Sequence, residues 1–431
     1  MAVAVVQPAA EGADRSAVLR LPAFWLVVAA LTAGAARMAQ ILGRFLTAYP
    51  RATVTALVLF ALLAVPFWLF VSALDFLERE PTALLVLAVA WGALVATSVS
   101  IPGSTALEDL IAKLGSPGLA ADWGAALAGP TVEETAKTLG VVAVVLVARA
   151  QVNSILDGIV YGALVGLGFQ IVEDVVFALA AVALAGQGDR VQPVIDTFLL
   201  RGFLSGVWSH TLFGALAGAG IGFLVVRRDR RPAVRLGVAV LAVLAAWASH
   251  VLWNSPIFRD GLGNGPSGLV LVLLVKGLPP LVLVLLIVRR VHDREADYYV
   301  GRLAALQDPD LITGGELAVL GSGTRRAAAR RHAAGTGRQA GAAVRRLQRA
   351  QARLAVELSR NPGVRTAGEA AEGPGRVWCA EIRRERTRLV ELGHPEAVAG
   401  PRSWRHTAST VATTVVALAV LWVALSALGG G

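Results

Sequence analysis

The sequence predicts an all-α polytopic membrane protein: a bundle of about eight transmembrane helices and a separate C-terminal span. Three observations predict it. Of 431 residues, 55% are hydrophobic and only 16% are charged, where a soluble domain carries about 25% charged residues. Mean hydropathy is +0.63. The apolar residues gather in runs of ~20, the length that crosses a hydrocarbon core of roughly 30 Å. Cys379 is the only cysteine, which excludes intramolecular disulfides, CxxC pairs and thiolate metal clusters. The formal charge of +10 does not point to nucleic acid as a partner. The basic residues sit in loops and in a long C-terminal segment, where the positive-inside rule places them. The first twenty residues show no cleavage-site pattern, so a removable signal peptide is not expected.

Spans are expected near residues 21–42, 53–74, 82–102, 131–150, 155–185, 203–226, 233–256, 268–289 and 407–428. Arg37 lies inside the first and can snorkel to the interface. Pro279-Pro280 should kink the eighth, where neighbouring helices can satisfy the freed carbonyls. Residues 103–130 read as a loop holding an amphipathic piece, Leu107 to Leu114. No internal repeat is visible, which argues against an inverted-repeat transporter. The chain then divides into an N-terminal tail (1–20), a membrane core (21–291), an Arg/Ala-rich segment (292–406) and a final span (407–431). Arg227-Arg228-Asp229-Arg230-Arg231 and Arg289-Arg290 assign their loops to the cytoplasm. The N-terminus and Arg149 then also lie inside, with Arg44 and Arg51 outside against the rule. This topology describes a multi-pass protein of the cell membrane. Within 292–406, Ala340 to Leu358 and Val377 to Leu392 have the pattern of amphipathic helices, and Asn361 to Gly375 reads as linker. A cytosolic helical module and a partly disordered basic segment are both open.

Charged and imidazole groups inside spans are the informative feature, since each charge costs roughly 2.5–3.5 kcal/mol to insert. The fourth span opens with Pro130-Thr131-Val132-Glu133-Glu134-Thr135-Ala136-Lys137. Pro130 suits a first helical turn and Thr131-x-x-Glu134 has the form of a capping box, so a helix starting there is expected. A cap needs one carboxylate. Two of them, with Lys137 returning at i+4 and i+3, exceed that need. The fifth span carries Phe169-Gln170-Ile171-Val172-Glu173-Asp174, whose plain structural explanation is a buried ion pair to Lys137 or Arg201. The sixth has His210 followed by Gly214, Gly218 and Gly220, small residues that let helices approach closely. The seventh has His250 and Asn254 one turn apart. One membrane histidine is often only a hydrogen-bonding group between helices; two, flanking the glutamates, point to shared chemistry. His292, His332, His394 and His406 lie in the C-terminal segment and read as surface residues.

Depth ties these groups together. At ~1.5 Å per residue, helices of alternating direction place Glu133, Lys137, Glu173, His210, His250 and Asn254 at one level in the outer part of the bilayer. An ion path would stagger its polar groups through the membrane instead.

Glu133-Glu134-x-x-Lys137, Phe169-x-x-x-Glu173, His210 with its small-residue tail and His250-x-x-x-Asn254 resemble the four motifs of the PrsW family of intramembrane proteases. That family is distantly similar to CAAX prenyl endopeptidases and bacteriocin-processing proteases. The resemblance covers about residues 20–290; Asp174 stands where the family pattern leads one to expect Asn. It implies peptide hydrolysis inside the membrane, with Glu133 as the base that activates water. Glu134 would pair with Lys137, and Glu173 and His210 would position the water and pass its proton. His250 and Asn254 would form the oxyanion site. The alternative is zinc held by His210, His250 and a carboxylate, Glu133 or Glu173, with an open position for water; no HExxH is present, so the ligands would come from separate helices. No other cofactor is expected. The expected partners are the lipid bilayer and a membrane-protein substrate, a single-span one, which the resemblance suggests is an anti-sigma factor cut on its external side. A proton-coupled transporter and a non-catalytic scaffold for transmembrane helices are the competing classes.

Overall fold

The structure is a computed structural model that describes residues 18–74, 80–204, 209–257, 265–361 and 363–398. Every regular element among them is helical. They fall into two compact units, one holding the described residues up to Val288 and the other those from Arg289. In chain order the first unit contains α1 (Pro22–Ala48), α2 (Pro50–Ser72), α3 (Thr82–Leu114), α4 (Ala125–Val147), α5 (Ile155–Ala185), α6 (His210–Val226) and α7 (Pro232–Asn254). Helix α8 (Gly265–Ala304) carries the eighth span, with Pro279 and Pro280 inside it.

Six helices, α1, α2, α3, α5, α7 and the apolar stretch of α8, are long and apolar enough to cross a membrane. Two further expected spans fall short of that measure for reasons that matter later. Helix α4 carries Glu133, Glu134 and Lys137 in its middle. Helix α6 has only 17 residues, about 25 Å at 1.5 Å per residue. The ninth expected span, 407–428, and most of the N-terminal tail lie outside the described residues.

Two sequence expectations are corrected. Residues 103–130 are not a loop: α3 runs on through Leu107 to Leu114, and helical structure resumes at Pro117. The cap of that second stretch is Ser116, whose Oγ accepts from the Leu119 amide at 3.0 Å, with Pro117 in the first turn. Consequently Pro130 lies inside α4 and Thr131 is not a cap. The Thr131 hydroxyl donates back to the Leu127 carbonyl at 2.6 Å. The acidic pair therefore sits in the middle of a helix, not at its mouth. The helix-dipole and capping explanation of Glu134 is removed with it.

Close approach of helices positions the rest. Helix α5 begins at a capping box, Ser154 with Asp157, and ends at Gly186, whose φ of 62° is left-handed. Along its length Gly158, Gly162 and Gly166 face the backbone of α6 at Gly218, Gly214 and His210. A Cβ at any of the three would overlap a carbonyl of the partner helix. On its other side Gly168 meets the Val89 carbonyl of α3, and Gly92 of α3 meets Val165 in return. The α3 turn around Trp91–Ala96 is of the wide, i→i+5 type. It presents the Trp91 indole, which donates to the Ala136 carbonyl at 3.0 Å.

The second unit contains α9 (Gly314–Leu320), α10 (Gly323–Ala334), α11 (Arg338–Arg360), α12 (Ala367–Glu372) and α13 (Arg376–Glu391). They bury a core of alanine and leucine that includes Leu303, Leu311, Leu347, Leu354 and Ile382. Of the two sequence readings of 292–406, the described residues follow the helical one. The stretch expected as linker holds α12, capped by Thr366.

Glycine spacing makes a direct prediction. Gly162→Val should drive α5 and α6 apart and cost at least the ~1–3 kcal/mol of an overpacked core. The unfolding midpoint in detergent should fall accordingly. Gly237→Val, where nothing lies within 4 Å of the added Cβ, should leave the midpoint in place.

Candidate active site

Four helices of the first unit bring all seven sequence-derived candidates into one cluster. Helix α4 contributes Glu133, Glu134 and Lys137, α5 contributes Glu173, α6 contributes His210 at its first residue, and α7 contributes His250 and Asn254. All but Glu173 and Asn254 are buried; Glu173 is half-buried and Asn254 is exposed.

The Lys137 ammonium occupies the interior of this cluster at 1% exposure. It lies 2.6 Å from Glu134 Oε1, 2.9 Å from His210 Nδ1 and 3.9 Å from Glu133 Oε2. It also sits 4.6 Å over the Phe169 ring, so the cation meets a π face where it lacks a carboxylate. Each histidine has a carboxylate behind it. His250 Nδ1 lies 2.8 Å from Glu134 Oε1, and His210 Nε2 lies 3.0 Å from Glu173 Oε2. A carboxylate of this kind accepts, so the hydrogen-bond pattern assigns the N–H to His250 Nδ1 and to His210 Nε2. The opposite nitrogens, His250 Nε2 and His210 Nδ1, then carry their lone pairs toward the centre. The rings are held by Phe213, stacked on His250 at 5.0 Å, and by Phe169, edge-on to His210 at 4.9 Å.

Glu133 is different from its neighbour. Each of the two has a buried Oε2 without a hydrogen-bond partner, but Glu134 engages Lys137 and His250 through its Oε1, whereas the Glu133 Oε2 looks into the cluster. It stands 3.8 Å from His210 Nδ1, 3.8 Å from His250 Nε2 and 3.9 Å from Lys137 Nζ. Those separations exceed a direct hydrogen bond and leave one buried oxygen facing three polar atoms across a short gap. Asn254 Nδ2 closes the outer side, 3.2 Å from His250 Nε2.

The plain explanation of Glu173 and Asp174 is also present. Arg201, in the wide-turn helical stretch Phe198–Leu204, donates from Nη2 to Glu173 at 2.6 Å and from Nε to Asp174 at 2.7 Å. Its guanidinium lies 3.9 Å over the Phe177 ring. Glu173 Oε2 thus accepts from both Arg201 and His210, so the ion pair orients the carboxylate that orients the histidine. Sequence reasoning named Arg201 only as a possible counter-ion, because a linker of unknown path separates it from α5. It missed Trp247, whose indole donates to the Thr131 hydroxyl at 3.0 Å and ties α7 to α4 beside the glutamates. The Trp247 spacing, three residues before His250, was the available signal.

Glu133, His210 and His250 also form a group whose donor atoms all lie within 4.8 Å of one another. Two imidazole lone pairs and a carboxylate oxygen are the donor set of a His₂–carboxylate metal site, and a carboxylate behind each imidazole is the usual outer shell of such ligands.

Comparison with known proteins adds one finding. The family model described as PrsW family intramembrane metalloprotease matches residues 80–287, the stretch that contains every side chain of this site. No curated protein and no solved structure matches the chain. That match, over the helices that build the cluster, supports a PrsW family protein, an intramembrane protease.

Proposed function

We propose that this protease hydrolyses a peptide bond near the extracytoplasmic end of a single-span membrane protein, with Glu133 as the base that activates water. The observation that carries the proposal is the buried Glu133 Oε2 without a hydrogen-bond partner, ringed at 3.8–3.9 Å by His210, His250 and Lys137. A water in that gap would give its proton to Glu133 as its oxygen bonds to the scissile carbonyl carbon. The carbonyl oxygen becomes an oxyanion, for which Asn254 and Lys137 offer N–H donors; His250 holds the Asn254 amide in place. When the C–N bond breaks, Glu133 returns the proton to the leaving nitrogen. Glu173 and Arg201 position His210, and Glu134 positions His250. The substrate class implied by the family resemblance is an anti-sigma factor, for which an external cut is a first signalling step.

The same residues fit a divalent cation. His210, His250 and Glu133 would hold it, and zinc would supply a bound water whose pKa is lowered to ~7. What favours the glutamate reading is Lys137, whose ammonium already takes the His210 Nδ1 lone pair at 2.9 Å. A positive charge at that distance opposes a second one on the same nitrogen.

Glu133→Gln should reduce proteolysis at least ~100-fold, the lower range for loss of a general base, with membrane insertion and yield unchanged. New N-termini generated by the wild type beside membrane spans should vanish from a terminal-peptide survey of cells expressing the variant; their persistence at equal abundance would remove Glu133 as the base.

Metal content separates the two chemistries. Purified protein should hold far less than one zinc per chain, and chelator should leave its activity intact. One tightly held zinc that disappears in both His210→Ala and His250→Ala would establish the metal reading instead.

The side of cleavage is tested by labelling. Asn254→Cys in a Cys379→Ser background should react with a membrane-impermeant thiol reagent added outside the cell. Reaction only in inverted membranes would reverse the topology and with it the external cut.

A further inference from the structure

In the second unit, no acidic residue occurs between Glu316 and Glu357, and no lysine follows Lys276. That acid-free stretch holds α10 and α11 up to the last turn of the latter, a helical hairpin. Its two helices are tied by Gln348, which accepts from Arg330 at 3.2 Å and donates to the Arg326 carbonyl at 3.3 Å. Gly341 lies against Ala334 at the turn. The buried side of α11 is alanine, valine and leucine with Gly341, Gln348 and Gln351 among them. Its other side exposes Arg338, Arg345 and Arg349, at spacings of seven and four that share one face of a helix. Arg331 is exposed on α10, and Arg330 beside it is half-buried.

Two features distinguish this face from an ordinary solvated one. First, among the described residues Arg331, Arg338, Arg345 and Arg349 have no carboxylate partner; the one α11 arginine between them that is paired, Arg346, turns away to Glu385 of α13. Second, like charges are crowded. Burial and the neighbouring Arg345 and Arg331 together pull Arg330 below its ordinary value. A surface that spends stability on repulsion is one that meets an anion. Arginine, with a planar fork of donors, is the side chain suited to phosphate oxygens.

We infer that the α10–α11 hairpin is a docking surface for the anionic phospholipid headgroups of the membrane in which the chain is anchored. The choice of partner follows from the chain itself. The eighth span and the start of the second unit belong to one helix, Gly265–Ala304, so the hairpin is tethered to a bilayer. Tethering raises the effective concentration of headgroups far above that of any free anion. Basic segments that follow a span bind anionic lipid by screened Coulomb attraction.

The test uses the full chain in nanodiscs. A dye is attached at Gln339→Cys, in a Cys379→Ser background, and a quencher is placed on the lipid headgroups. Discs of phosphatidylcholine and discs one-third phosphatidylglycerol are compared. Quenching should rise several-fold with phosphatidylglycerol, fall back at high salt, and disappear in the triple variant Arg331→Glu, Arg345→Glu, Arg349→Glu. An equal charge reversal on the same unit, at Arg365, Arg376 and Arg388, should keep it. Equal quenching in both kinds of disc would overturn the inference. So would loss of quenching in both triple variants, which would mean bulk charge and not this surface. Hairpin-dependent binding of duplex DNA in phosphatidylcholine discs, without a response to phosphatidylglycerol, would assign the face to nucleic acid.

Discussion

A lysine ammonium at 1% exposure inside a membrane bundle has to be answered by its surroundings, and the site is built as that answer. Lys137 reaches Glu134, His210 and Glu133, which lie on α4 itself and on α6. Glu134 in turn holds His250 of α7, and His210 is held by Glu173 of α5. Four helices are thus joined through one cation. Removing one partner of such a network would leave a buried charge uncompensated, typically at a cost of about 3–5 kcal/mol. Hydrophobic packing alone would be cheaper and would have no use for any of these groups.

That network needs helices at fixed distances, and glycine supplies them. Gly166 allows α5 to touch the His210 backbone. Without that contact the His210 ring would not reach Glu173, about two turns further along α5, at 3.0 Å. Gly140 leaves room for the Trp91 indole, which crosses from α3 to the α4 carbonyl one residue before Lys137. Small residues here act at a distance from the chemistry, through the register of the helices that carry it.

Much of this was legible in the sequence because polarity inside an apolar run has few explanations. Glu133, Glu134, Lys137, Glu173, His210, His250 and Asn254 stood out for that reason, and alternating helix direction brought them to one depth. The start of α4 was not legible. Pro130 and Thr131-x-x-Glu134 match a capping pattern, while the cap that operates is Ser116-Pro117, fourteen residues earlier. A local motif cannot reveal whether the preceding residues are already helical. Arg201 could be named only as one of two counter-ions for a different cause: its partners lie 27 and 28 residues away, across a segment whose path the sequence does not determine. The Arg/Ala-rich segment was ambiguous because alanine serves equally in a packed helical core and in a polar, weakly apolar coil. Only the burial of Leu347, Leu354 and Ile382 in one cluster distinguishes them.

The doubled acids, Glu133-Glu134 and Glu173-Asp174, follow from helix geometry. Successive helical residues point about 100° apart, since a turn takes 3.6 residues, so two adjacent carboxylates reach different sets of partners even where they share one. Each pair divides its work accordingly. Glu134 turns toward His250 and Lys137, and Glu133 turns into the gap among the three polar atoms. Glu173 turns toward His210, and Asp174 toward the guanidinium that steadies Glu173. In both pairs one residue holds what the other acts with or through. At the first place a single glutamate would have to orient His250 and face the centre at once; at the second it would have to hold His210 with nothing beside it to steady the Arg201 guanidinium.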